Sequence, residues 1–127
     1  MKSKINFDHM PEYTLITTEG EASIRGFDDL LRKIVDSPEW VFGTNQLIDH
    51  RKMMMGNLTS NNIQQIEYVV KRHSKKLGNG PCAFVVKDAF GFGITRMYEL
   101  IGGENIHHKV RVFYSINEAA QWLKQLK

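Results

Sequence analysis

By type and spacing, the residues best placed to do chemistry are Asp49, His50 and Arg51, then Lys87 and Asp88, then Arg96. The first three follow the apolar pair Leu47-Ile48, and the next two follow the apolar run Cys82–Val86. Ligands of parallel sheets gather at the carboxyl ends of the strands, which is where these five would lie. Asp49, Asp88 and Arg96 could therefore line a small charged cleft. The commoner use of such groups is an Arg–Asp pair that pins a helix to a strand. No nucleophile–base–orienter set is legible, so an enzyme built on Asp49, Asp88 and Arg96 is the weakest of the readings and no catalytic residue is assigned.

Other motifs fall short of a known chemistry. A receiver-type phosphoacceptor site needs an acidic pair after the first strand, and none is present. Gly91-Phe92-Gly93 follows a strand and opens a helix, but the third glycine of a dinucleotide fingerprint would fall on Arg96, so the segment reads as a helix entrance. There is no Walker motif. His107 and His108 are adjacent and would point to opposite faces of an extended chain, and His73 meets Leu77 at i+4, so no metal signature forms. Cys82, inside an apolar run, reads as a buried, inert thiol. Ser60, Ser74 and Ser115 lack a nucleophile elbow. Neither metal nor cofactor is implied.

Two surface features remain. Lys71, Arg72, Lys75 and Lys76 crowd the end of a helical segment, where cations complement the helix dipole. Only Tyr68 lies among them, whereas nucleic-acid surfaces interleave several aromatics with charge, which argues against nucleic acid as a partner. Met53-Met54-Met55-Gly56 reads as a methionine-rich loop, an adaptable apolar surface. Phe90 and Phe92 fall just before a helix. Together with the Met loop they would form an apolar patch or pocket mouth at the sheet's carboxyl edge; the alternative is that the methionines cover the rim of the core.

These residues must be positioned by 127 residues, 42% hydrophobic and 24% charged, with a formal charge of +3. That length suits one domain, residues 1–127, burying roughly two-thirds of its unfolded surface. One cysteine excludes an intrachain disulfide. The absence of a signal-like h-region or a membrane-length apolar run points to a cytoplasmic protein that is not integral to a membrane.

The pattern predicts strands at Ile5–Met10, Tyr13–Glu19, Gln46–His50, Cys82–Val86 and Val110–Tyr114. A helix after Gly26 carries the stripe Phe27, Leu30, Leu31, Ile34 and Val35 and stops before Pro38. After the loop Arg51–Leu58, Thr59 or Ser60 caps a long helix with Ile63, Ile66, Val69 or Val70 and Leu77 inward, closed by Gly78. Ile94, Met97, Tyr98 and Ile101 mark a third helix, closed by Gly102 and Gly103. Ser115 and Glu118 form a capping box for a fourth, with Ala119, Trp122, Leu123 and Leu126 inward. The order ββαβαβαβα implies an α/β fold: a mixed, mostly parallel sheet of about five strands with about four helices, the opening hairpin supplying the antiparallel pair.

Four segments carry a family resemblance in order: Leu15–Val35; Leu47-Ile48-Asp49-His50-Arg51; Phe92-Gly93-Ile94-Thr95-Arg96-Met97-Tyr98-Glu99; and Val112-Phe113-Tyr114-Ser115 followed by Glu118-Ala119-Ala120-Gln121-Trp122-Leu123. Together they resemble the SpoIIAA-like family of the STAS superfamily. The resemblance implies a STAS-like fold, related in shape to anti-sigma-factor antagonists and to CRAL-TRIO lipid carriers, and no catalytic machinery. The antagonists carry a phosphorylatable serine in an Asp-Ser-Ser/Thr-Gly motif after a central strand. Here Asp49 is followed by His50-Arg51-Lys52-Met53, so a phosphoswitch at Thr59 or Ser60 has no motif behind it.

Two functional expectations follow. The first is a non-enzymatic regulatory or interaction module that engages another protein, or itself as a homodimer, through Met53–Gly56 and Phe90–Gly93. On that reading, replacing Met53 to Met55 with serine spares folding. The second is a carrier or sensor of a small apolar or anionic ligand such as a lipid, held between the third helix and the sheet, with Arg51 or Arg96 meeting an anionic head.

Overall fold

The computed structural model describes residues 1–103 and 109–126. Five strands form one sheet in the order β1 (Lys2–Asn6), β2 (Thr14–Glu21), β3 (Gln46–Met54), β4 (Cys82–Val85), β5 (Val110–Phe113). β1 is antiparallel to β2 and every other pair is parallel. Because sequential neighbours are joined by parallel crossovers of one preferred hand, the crossover helices must all fall on one face. They do: α1 (Ile24–Val35), α2 (Ser60–Arg72), α3 (Ser74–Leu77) and α4 (Ala89–Tyr98) share a core with Ile16, Ile48, Cys82 and Phe84. Among the described helices only α5 (Ile116–Gln125), the last element, covers the opposite face, packing Ala119 and Leu123 on Leu47, Ala83, Val85 and Phe113. β4 is buried on both faces, as its continuous apolar run requires.

Local signals start and stop the helices. The Ser23 hydroxyl accepts from Gly26 N–H, so α1 begins before Gly26, and the glycine sits in its first turn. Thr59 and Asn62 form a reciprocal capping box on α2. That helix breaks at His73, and the short α3 closes at Gly78 (φ +85°), giving five helices among the described residues where four are expected. Asp88 accepts from Gly91 N–H at 2.9 Å, so α4 starts at Ala89. Phe90, Gly91, Phe92 and Gly93 therefore belong to the helix itself and do not precede it. A π-helical turn, Glu99–Gly103, continues α4. Ser115 caps α5 through Glu118 N–H.

Two strand predictions are displaced. β1 ends at Asn6, and turns closed by Met10 N–H to Phe7 O and Glu12 N–H to His9 O occupy the segment predicted as strand. Pairing of Lys2 with Glu19 and Asn6 with Leu15 needs that segment to reverse the chain. Exposed Lys2 and Lys4 guard this open edge. β3 runs four residues past His50 to Met54, so Arg51–Met54 is strand and not loop.

Glycine substitutions test the packing directly. A Cβ on Gly80 would meet the carbonyl oxygens of Gly43 and Thr44, whereas one on Gly93 meets nothing within 4 Å. Gly80→Ala is expected to destabilise by about 1–3 kcal/mol. Gly93→Ala, inside α4, is expected to stabilise by about 0.4–1 kcal/mol. Urea midpoints that move the same way in both variants would contradict this packing.

Candidate functional site

The charged residues at the carboxyl edge do not converge. Asp49 is held by Arg51 in a bidentate pair, with Nε at 2.9 Å and Nη2 at 2.8 Å. Burial pushes the Asp49 carboxyl up, but the Arg51 side-chain and backbone hydrogen bonds outweigh it and leave the group below its ordinary value. Arg96 pairs with Glu99 at 3.0 Å, and Asp88 is occupied as the cap of α4. Asp49 and Arg51 line a groove of about 620 Å³ against β1 and α1, whereas Asp88 lines a separate groove of about 280 Å³. The cleft expected of Asp49, Asp88 and Arg96 is thus not formed, nor does an Arg–Asp pair pin α4 to a strand.

The cationic end of α2 is accounted for in part, with Lys75 and Lys76 exposed on the short α3. Arg72 and His73 reach Asp28 on α1, at 3.1 Å and 2.8 Å, and Lys71 lies 3.5 Å from Glu67. The His73 hydrogen bond, ahead of the charges of Arg32 and Arg72, holds the Asp28 carboxyl below its ordinary value. Thr59 spends its hydroxyl in the α2 cap. Cys82 is buried, and burial raises its thiol far above the reactive range. His107 and His108 lie outside the described residues. Among the described residues no group of three or more His, Cys, Asp or Glu side chains is placed to hold a metal.

The methionines overturn the loop reading. Between Thr17/Asp49 and Glu19/Lys52 the register shifts by one, so β3 carries an extra residue at His50-Arg51. A bulge reverses the side-chain alternation beyond it. Gln46, Ile48 and His50 face α1, α2 and α4; simple alternation would then send Lys52 and Met54 inward. The bulge instead sends Met53 and Met55 inward, 3% and 7% exposed, and leaves Met54 57% exposed. Met53 and Met55 pack with Ala22, Val86 and Val112. Phe92 stacks on Tyr114 at 5.4 Å, and only Phe90, with Met54, remains as an exposed apolar pair in the smaller groove. The continuous patch expected of Met53–Met55 with Phe90 and Phe92 does not exist.

Inside the bulge the packing is incomplete. A cavity of about 80 Å³ lies between the sheet and α1, α2 and α4, walled by residues such as Ile16, Leu30, Ile48, Ile63, Phe84 and Ile94. This is where a cavity between the third helix and the sheet was expected. Among the described residues no Asp, Glu, Lys or Arg is in its wall, so Arg51 and Arg96 do not serve it. Four residues with polar side-chain atoms do: Gln46, His50, Thr95 and Tyr98. Gln46, 2% exposed, opens β3, and its Nε2 has no hydrogen-bond partner among the described residues. His50, four residues further on, is 5% exposed and bonds Thr18 Oγ1 through Nδ1 at 2.6 Å. Burial pushes the His50 imidazole down to about 4, against a smaller opposing pull from Asp49. His50, Met53 and Met55 also line the smaller groove, so they stand between the cavity and the outside.

Gln46 escapes sequence reasoning. It precedes the apolar pair Leu47-Ile48 and looks like a strand-opening polar residue. Its one signal is alternation: sharing a face with Ile48 puts it inward.

The comparisons bear on the fold. No family model matches the chain, and no curated protein does. Among solved structures, it is similar to an uncharacterised protein of the DUF3478 family with a SpoIIAA-like fold from Shewanella loihica PV-4, with a TM-score of 0.60 and 15% identity over 95% of this chain and 93% of that one. The chain thus has a SpoIIAA-like, STAS-type α/β fold, with the mixed, mostly parallel five-stranded sheet described above. No described helix is long and apolar enough to cross a membrane.

Proposed function

We propose that the protein is a non-enzymatic binding module that takes a small, uncharged, largely apolar molecule into the cavity under α1, α2 and α4, as a carrier or sensor. The observation that carries this reading is the cavity itself, about 80 Å³, whose described wall residues are uncharged and mostly apolar. At about 24 cal/mol per Å³, an empty space of that size costs about 2 kcal/mol of stability, which an occupant would recover. The groove that shares His50, Met53 and Met55 with the cavity supplies a route in. Methionine suits such a wall, because its unbranched side chain changes rotamer readily.

The wall's neutrality selects against an anionic ligand, since an unpaired charge would be buried there at great cost. A full acyl chain is also too large for the volume.

The test is titration of ¹⁵N-labelled protein with uncharged aliphatic probes of about three to five heavy atoms, below the six of benzene, which a cavity of about 150 Å³ admits. Saturable shifts at Ile48, Phe84 and Ile94, with a rise in Tm, are the expected result. Flat titrations across the series, with a native mass equal to a whole number of chains, would sink the reading.

A further inference from the structure

Within that reading of the cavity, we infer that Gln46 determines the ligand class: a small neutral molecule with an aliphatic body and one accepting oxygen, such as an alcohol, ketone, ester or amide, whose oxygen receives the Gln46 side-chain N–H. Gln46 Nε2 carries two donors and is fully buried without an acceptor. Buried amides are nearly always paired, so an orphan in a cavity wall points to a partner not supplied by the chain.

The neighbours do not supply one. Gln46 sits between Thr14 on β2 and Cys82 on β4, the residues directly opposite it in register. The Thr14 hydroxyl turns away to Met10 Sδ at 3.3 Å, and Cys82 offers only a weakly accepting sulfur. The backbone of Gln46 is tied into the sheet by its N–H to Pro81 O at 2.9 Å, so the side chain is not needed to hold the strand.

A lone water is a poor substitute, because a buried water needs two to four polar partners. The other polar side chains of the wall are far along it or engaged: Thr95 donates to Gly91 O at 2.8 Å, His50 lies four residues away on β3, and Tyr98 on α4 has interactions of its own, among them an edge-on contact with Phe84 at 5.8 Å. A molecule with one oxygen and an apolar body satisfies the amide and fills the apolar space together. A carboxylate would satisfy the amide but leave its charge without a counter-ion.

The decisive experiment compares 2-butanone with 2-methyl-1-butene, which differ by an oxygen against a methylene, on the wild type and on Gln46→Met. The alkene is more hydrophobic, so the informative quantity is the ketone-to-alkene affinity ratio, not either affinity. Gln46→Met keeps the side chain's length and removes both donors. The ratio is expected to fall roughly tenfold in the variant, the size of one buried hydrogen bond. In the wild type, the Gln46 side-chain NH₂ signals are expected to move with the ketone and stay with the alkene, which decides the matter even if the variant does not fold. An unchanged ratio, or equal NH₂ shifts with both probes, would overturn the role of Gln46 while leaving the cavity reading intact. Failure of both probes to bind the wild type would overturn both.

Discussion

Met53→Ser and Met55→Ser are each expected to lower the unfolding free energy by about 2–5 kcal/mol, while Met54→Ser changes it by about 0.5 kcal/mol or less. The three residues are consecutive and chemically identical, so only their placement separates them. Met53 and Met55 fill the core beside Val86 and Val112, and Met54 stands in solvent. Serine in place of a buried methionine removes most of its packing and adds a hydroxyl that needs a partner. Urea denaturation of the three single variants checks this. Equal small effects at all three positions would restore the exposed-loop reading and remove the bulge in β3 as its cause. Met53 and Met55 also form part of the wall between cavity and groove, so a variant that still folds is expected to exchange ligand faster than the wild type.

The second large effect is acid sensitivity through His50. Its imidazole sits at about 4 in the folded protein, against an ordinary value of 6.5. The folded state therefore refuses a proton that the unfolded chain accepts. Above pH 6.5 both states are neutral and the contribution is fully present. As pH falls from 6.5 to 4 the unfolded chain gains the proton, and stability drops by about 3 kcal/mol, levelling off below. Asp49 is the charged neighbour acting on this imidazole, and it opposes the depression only weakly. The lowered carboxyls of Asp28 and Asp49 act in a different window: they contribute above the unfolded value of 3.8 and are lost as pH falls below it. His50→Gln is expected to flatten the profile between pH 6.5 and 4 and leave the more acidic limb. Parallel curves for wild type and His50→Gln would show that His50 is not the group responsible. Because the folded imidazole takes its proton only near pH 4, ligand binding to the folded protein is expected to hold between pH 6.5 and about 5 and to weaken as pH falls through 4.

Much of the fold was legible because it rests on local rules. Caps at Thr59 and Ser115, the stop at Gly78 and the apolar stripes of α1, α2 and α5 follow from backbone groups that need partners within a few residues. The inward face of Leu30, Leu31 and Ile34, and the doubly buried run from Cys82, follow from the two periodicities of helix and strand. Those same rules misplaced the start of α4, because a helix whose first turn reads Ala-Phe-Gly-Phe-Gly has glycines where a periodic stripe would begin. Asp88, whose carboxylate caps the first turn through Gly91 N–H, is the local signal for that start.

What the sequence determined alone was the set of elements, their order and the α/β class, because hydrogen-bond capping and hydrophobic periodicity act over short separations. What only the tertiary structure decided was which of those elements meet. The sequential strand order, the bulge at His50-Arg51 that turns Met53 and Met55 into the core, and the separation of Asp49 from Asp88 all depend on register between strands distant in the chain. A one-residue shift in that register exchanges the inside of a strand for its outside. The cavity and its unpaired Gln46 arise from the same source, since side chains from β2, β3, β4, α1, α2 and α4 must come together before the space they fail to fill exists.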